Sequence, residues 1–121
     1  MAKILVIEDE KNLRLLYKQD LERDGFAVVT AGTAPEGLAL IESEKPDLVV
    51  MDIRLPGMDG LEAMSRVLER HKHLPIVLNS AYSSYKDNFT SWSADAYVVK
   101  SADTGELRTR VRELLEPRLE P

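Results

Sequence analysis

Five short apolar runs recur along the chain, each followed by a segment of helical character, and this alternation limits the fold more than any other feature. The runs are KILVI (3–7), FAVVTA (26–31), DLVVMD (47–52), PIVLNS (75–80) and DAYVVK (95–100). They are mostly continuous rather than alternating, the pattern of strands covered on both faces. Between them, KNLRLLYKQDLERDG sets Leu13, Leu16 and Leu21 near one face and stops at Gly25, a natural C-cap. APEGLALIESEK carries Pro35 where a first helical turn tolerates it and ends before Pro46. GLEAMSRVLERHKH places Leu61, Met64 and Leu68 on one stripe, and SADTGELRTRVRELLE spaces Leu107, Val111 and Leu114 at helical intervals. The stretch YSSYKDNFTSW (82–92) has poor helix propensity, so a short or mobile fourth helix is expected there.

Strand then helix, five times over, predicts βαβ units with right-handed crossovers. The expected fold is α/β: a flavodoxin-like, doubly wound sheet of five parallel strands in the order 2-1-3-4-5, with five helices. Residues 1–116 make up the expected domain, and 117–121, with Pro117 and Pro121, a tail or the start of a linker. A chain of 121 residues suits one domain. Its net charge of −5 argues against this domain gripping nucleic acid directly. The absence of cysteine excludes disulfides, thiolate metal sites and cysteine nucleophiles. No apolar run approaches the ~18 residues needed to cross a bilayer, and no segment resembles a signal peptide. A cytoplasmic protein without membrane contact is therefore expected.

The polar residues that follow the strands carry the chemistry. Glu8, Asp9 and Glu10 follow the first strand, while Asp52, Ser80 and Lys100 end the third, fourth and fifth. In a parallel sheet these ends share one edge, where ligands bind at the switch point between strands one and three. Two carboxylates about 5 Å apart repel by roughly 3 kcal/mol at an effective dielectric near ~20. A proton or a cation must therefore sit among Glu8, Asp9 and Asp52. The donors are all hard oxygens with no His or Cys nearby, which favours Mg²⁺ over zinc or copper. Acids in this place could instead serve the next helix N-terminus, and for Glu10 that is the preferred reading. For Asp9 and Asp52, partly buried like charges need a partner. Lys100, opposite the acids, reads as a point-charge partner for a carboxylate or phosphate. His71 and His73 are expected in the solvated turn before the fourth strand.

Taken together, ILVIEDE, PDLVVMDIRLPGMDGLE, the Ser80–Ala81 pair and ADAYVVK resemble the receiver domain of two-component response regulators, over essentially the whole chain. The resemblance implies that Asp52 is the phosphoacceptor, phosphorylated by a sensor histidine kinase or phosphotransfer protein with Mg²⁺ as cofactor. It makes Asp9 a direct metal ligand and Glu8 one that acts through water, with Asp52 and the backbone carbonyl of Arg54 completing the set. Lys100, the Ser80 hydroxyl and the backbone of Ala81 would contact the phosphoryl oxygens. Ser80 and Tyr97 would be the switch residues, repacking the surface formed by the fourth helix, fifth strand and fifth helix. That surface would serve output, including control of transcription, and a homodimer. The implied protein is a switch rather than an enzyme, with self-phosphorylation from a donor and autodephosphorylation as its only turnover.

Three positions depart from the family's usual pattern. Glu8 stands for the commoner aspartate and Ser80 for threonine. Ser101 stands for the proline that usually follows the lysine, so the bond before it is expected to be trans. Tyr82 is expected to hinder the attacking water and prolong the phosphoryl lifetime, and Trp92 to pack on the fourth helix. A haloacid-dehalogenase-like phosphotransferase would need a second acid two residues after the nucleophile, where this chain has Arg54. The alternative, a pseudo-receiver that binds partners without phosphorylation, would be favoured by the loss of Asp9, Asp52 or Lys100, and all three are present.

Overall fold

A computed structural model describes residues 1–56, 58, 60–81 and 94–119. The elements are β1 (Lys3–Ile7), α1 (Lys11–Arg23), β2 (Ala27–Ala31), α2 (Ala34–Glu44), β3 (Leu48–Met51), α3 (Gly60–Arg70), β4 (Ile76–Ser80), β5 (Ala96–Val99) and α4 (Gly105–Leu119). The strands pair in parallel in the order β2-β1-β3-β4-β5, as the sequence predicts. Four helices occur among the described residues. The helix expected over 82–92 lies outside them, as do Tyr82, Trp92 and Pro121. No helix among the described residues is long and apolar enough to cross a membrane.

Asp47 and Asp95, read from the sequence as strand residues, sit just before β3 and β5 instead. The Asp47 amide donates to the Lys3 carbonyl at 2.7 Å, and its Oδ2 accepts from the Lys3 amide at 2.8 Å. Asp95 does the same with Ile76, at 2.8 Å in both directions. Each aspartate thus satisfies both backbone groups at the start of a neighbouring strand, which would otherwise lack ladder partners. Thr33 caps α2 by accepting from the Glu36 amide, with Pro35 in the first turn, and Lys45 ends it in the left-handed conformation. Gly25, at φ +97°, makes the turn into β2.

Alternation of side chains along each strand divides the core into two layers. Ile4, Val6, Leu48, Val50, Val77 and Val98 pack with Tyr17 and Leu21 of α1 and with Leu107, Val111 and Leu115 of α4. Leu5, Ile7, Val49, Met51, Ile76 and Leu78 pack with α2 and α3. The helical stripes are rotated slightly from those read in the sequence. Tyr17 is deeper than Leu13 and Leu16, Leu115 deeper than Leu114, and Ala63 and Val67 join Met64 while Leu68 is half-buried. The same parity carries past the strand ends. Glu8, Asn79, Asp52 and Lys100 continue the face that meets α1 and α4, while Ser80 and Tyr97 belong to the face that meets α2 and α3.

Candidate functional site

Glu8 and Asp52 leave adjacent strands one residue beyond the paired Ile7 and Met51. Their backbones stay in the ladder: the Glu8 amide donates to Ala31 at 3.0 Å and the Asp52 amide to Ile7 at 3.3 Å. Both side chains are buried, at 2% and 7% exposure. The Lys100 amide donates to the Ser80 carbonyl at 2.7 Å, and its side chain crosses the end of β4. Its Nζ lies 2.6 Å from Glu8 Oε1 and 2.7 Å from Asp52 Oδ2. The second oxygen of each carboxylate is held by a main-chain amide two residues further on. Glu10 donates to Glu8 Oε2 at 3.1 Å, and Arg54 to Asp52 Oδ1 at 3.2 Å. The two acids are therefore anchored in the same way.

Burial pushes the Glu8 carboxyl up, and the hydrogen bonds from Lys100 and the Glu10 amide only partly offset it. Burial also pulls on the Lys100 ammonium, but the bonds and charges of Asp52 and Glu8 outweigh it and hold the group above the ordinary lysine range. The cation that mutual repulsion demands is, for Glu8 and Asp52, this ammonium. Asp9 is exposed beside them, and one carboxylate oxygen from each of the three acids lies within 4.8 Å of the others. Three carboxylates against one ammonium leave a formal charge of −2. Hard oxygen donors with that surplus suit Mg²⁺.

Glu10 occupies the N-cap position of α1, but its side chain makes no capping bond. Arg54 lies in the loop after Asp52, exposed and tied to it through its amide. That loop is closed by Gly60, whose amide donates to the Ile53 carbonyl; a Cβ there would collide with the Asp52 carbonyl. Ser80 is fully buried at the end of β4, and Ala81 follows it at the surface. Tyr97 is half-buried opposite Leu78. Ser80 and Tyr97 thus share a sheet face on adjacent strands, away from the face that carries Asp52. The Lys100–Ser101 bond is trans. His71 bridges α3 to α2 through Glu42 at 3.2 Å, and His73 is exposed.

Sequence reading missed three residues near this edge. Asn79 is 3% exposed on the Asp52 face, and an amide inside the apolar run PIVLNS was the available signal. Tyr17 packs from α1 on that face, and its buried hydroxyl has no hydrogen-bond partner among the described residues. Arg14, also on α1, donates to the Glu8 carbonyl at 2.8 Å. Helical spacing marks Tyr17, which lies four residues from both Leu13 and Leu21, but it does not mark Arg14.

Residues 4–112 match the response regulator receiver domain. The chain belongs to that family. This receiver domain is 36% identical over 115 residues to the alkaline phosphatase synthesis transcriptional regulatory protein PhoP of Bacillus subtilis, covering 93% of the chain and 48% of the relative. It is 38% identical over 117 residues to the transcriptional regulatory protein AfsQ1 of Streptomyces coelicolor, covering 95% and 52%. The chain therefore spans about half the length of these curated relatives. Among solved structures it resembles the response regulator TrrA of Thermotoga maritima in complex with Mg²⁺–BeF, with 42% identity, a TM-score of 0.91 and coverage of 95% and 100%. TrrA bound to the histidine kinase ThkA matches with 41% identity, a TM-score of 0.90 and coverage of 96% and 100%. The receiver domain is thus a component of two-component signal transduction.

Proposed function

We propose that this receiver domain is a phosphorylation switch whose acceptor is Asp52 and whose donor is a sensor histidine kinase or a phosphotransfer protein. One observation carries the reading: Asp52 is buried, its Oδ2 shares the Lys100 ammonium with Glu8, and the carboxylates of Glu8 and Asp9 cluster with its own. A carboxylate oxygen of Asp52 attacks phosphorus, the O–P bond forms as the N–P bond of phosphohistidine breaks, and the imidazole leaves. Lys100, already beside the attacking carboxylate, turns its charge to a phosphoryl oxygen, aided by the Ser80 hydroxyl and the Ala81 backbone. Asp9, Asp52 and the Arg54 carbonyl would hold Mg²⁺, with Glu8 acting through water; when bound, the ion neutralises charge on the transferred group. TrrA supports this with its bound Mg²⁺ and beryllofluoride, a stand-in for a phosphoryl group, and with its histidine kinase complex.

The phosphoryl group then supplies the differential contact that a population shift requires. Ser80 moves towards Asp52 and Tyr97 turns inward, an arrangement supported by their common sheet face. This repacks the surface of β5 and α4, which serves output and homodimerisation. The transcriptional relatives favour control of transcription as the output. The domain acts as a cytoplasmic switch and not as an enzyme, its only turnover being acquisition and loss of its own phosphoryl group. The test is intact mass after incubation with Mg²⁺ and acetyl phosphate. The parent should gain one phosphoryl group and Asp52→Asn none; no gain in a Mg²⁺-binding parent overturns the reading.

A further inference from the structure

Arg14 lies one turn into α1, and its amide donates to the Glu10 carbonyl at 2.9 Å. Its side chain folds back over the loop of three consecutive acids. There Nη1 donates to the Glu8 carbonyl at 2.8 Å and to the Asp9 carbonyl at 3.4 Å. The guanidinium thus holds main-chain oxygens and leaves the carboxylates of that loop to other partners. Across from it is Gly32, the residue after β2. Gly32 has no left-handed φ, so its backbone would accept any side chain. What a side chain would press on is the guanidinium: a Cβ would stand 2.9 Å from Arg14 Nη1 and 3.6 Å from Cζ. Both are at the far end of a flexible side chain. Filling the space would displace the guanidinium without disturbing the strand.

We propose that Arg14 is the positioning residue of the acid pocket, tying down the backbone from which Glu8 and Asp9 project, and that Gly32 leaves the room it needs. The inference rests on the Mg²⁺ role proposed above. Glu8, Asp9 and Glu10 repel one another along a loop between β1 and α1. A loop held at two carbonyls loses less freedom when a cation orders its carboxylates, which is the advantage of preorganisation. The guanidinium charge acts the other way, since a nearby cation opposes Mg²⁺. Variants that test position must therefore keep the charge. Arg14→Lys keeps it but loses the planar fork, and Gly32→Ala keeps Arg14 itself while taking its place.

The experiment is calorimetric titration of MgCl₂ into the parent, Gly32→Ala, Arg14→Lys and the double variant, with urea unfolding of each. Each single variant should bind Mg²⁺ about tenfold more weakly, the usual effect of removing a partner that orients metal ligands. The double variant should be no weaker than Arg14→Lys by more than about twofold, because both changes remove one contact. Gly32→Ala should keep the parent's unfolding midpoint, separating position from fold. Affinities within about twofold of the parent in both single variants, or additive losses in the double, overturn the role of Arg14 alone. A parent that binds no Mg²⁺ overturns the metal reading and this inference with it.

Discussion

Lys100 lies 2.6 Å from Glu8 and 2.7 Å from Asp52 with its own side chain only 15% exposed, so one desolvated ammonium answers two desolvated carboxylates. Removing one partner of such a set leaves uncompensated buried charge, which costs far more than the intact pairs contribute. Lys100→Met should therefore destabilise the metal-free domain by about 3 kcal/mol. Mg²⁺ should restore part of that loss, because it brings positive charge to the same acids. Urea unfolding with and without Mg²⁺ measures both effects, and a loss that Mg²⁺ leaves unchanged would show that charge is not its cause. These roles were legible in the sequence because topology alone sends every strand end to one edge. The contacts of Arg14 and Tyr17 were not, because they depend on which way a side chain turns after α1 has docked. Tyr17 shows this clearly. Burial pushes its hydroxyl up, while the Asn79 amide eases it without completing a hydrogen bond.

Between elements, one set of polar contacts joins the end of α1 to the start of α4. Thr104 donates to Asp20 at 2.6 Å, and Arg108 grips Asp24 with Nε at 2.9 Å and Nη2 at 2.6 Å, while Arg112 lies 3.5 Å away. The Arg108 hydrogen bonds hold the Asp24 carboxyl below the usual carboxylate range, outweighing its partial burial. A depressed native value means that this clasp contributes fully above the unfolded value near ~4 and is lost as pH falls through the native one. Asp24→Asn should therefore flatten the fall in stability below about pH 4 and lower stability at neutral pH. Chemical unfolding from pH 7 downwards tests this; an acid limb as steep as the parent's would assign the loss to other carboxylates. The helices themselves were legible from their apolar spacing. Their rotation was not: one position, about 100° of turn, separates Leu114 from Leu115, and packing against β4 and β5 decides between them. Strand starts escaped too, since Asp47 and Asp95 continue the apolar runs in sequence but serve as side-chain acceptors in space.

For the molecule as a whole, the order β2-β1-β3-β4-β5 followed from five strand–helix units and right-handed crossovers, which leave few arrangements. That order brings the acids of β1 and β3 together at the carboxyl edge of the sheet, where two buried carboxylates share one ammonium. An excess of buried negative charge opposes folding, so the site is held against the stability of the rest. Replacing Asp52 by Asn leaves Glu8 and Lys100 as a matched pair and relieves this repulsion. Metal-free Asp52→Asn should therefore be more stable than the parent, by roughly 1 kcal/mol. The parent should gain stability with Mg²⁺ as binding to the folded state alone requires, by about 2.7 kcal/mol at a hundredfold excess over Kd. The variant has lost a ligand and part of the charge surplus, so its gain should be smaller, and the two stabilities should converge or cross as Mg²⁺ rises. Unfolding midpoints across a Mg²⁺ series decide the matter. A metal-free variant less stable than the parent would mean that the Lys100–Asp52 bond outweighs the repulsion, and that the acid pocket stabilises the domain even before a cation enters it.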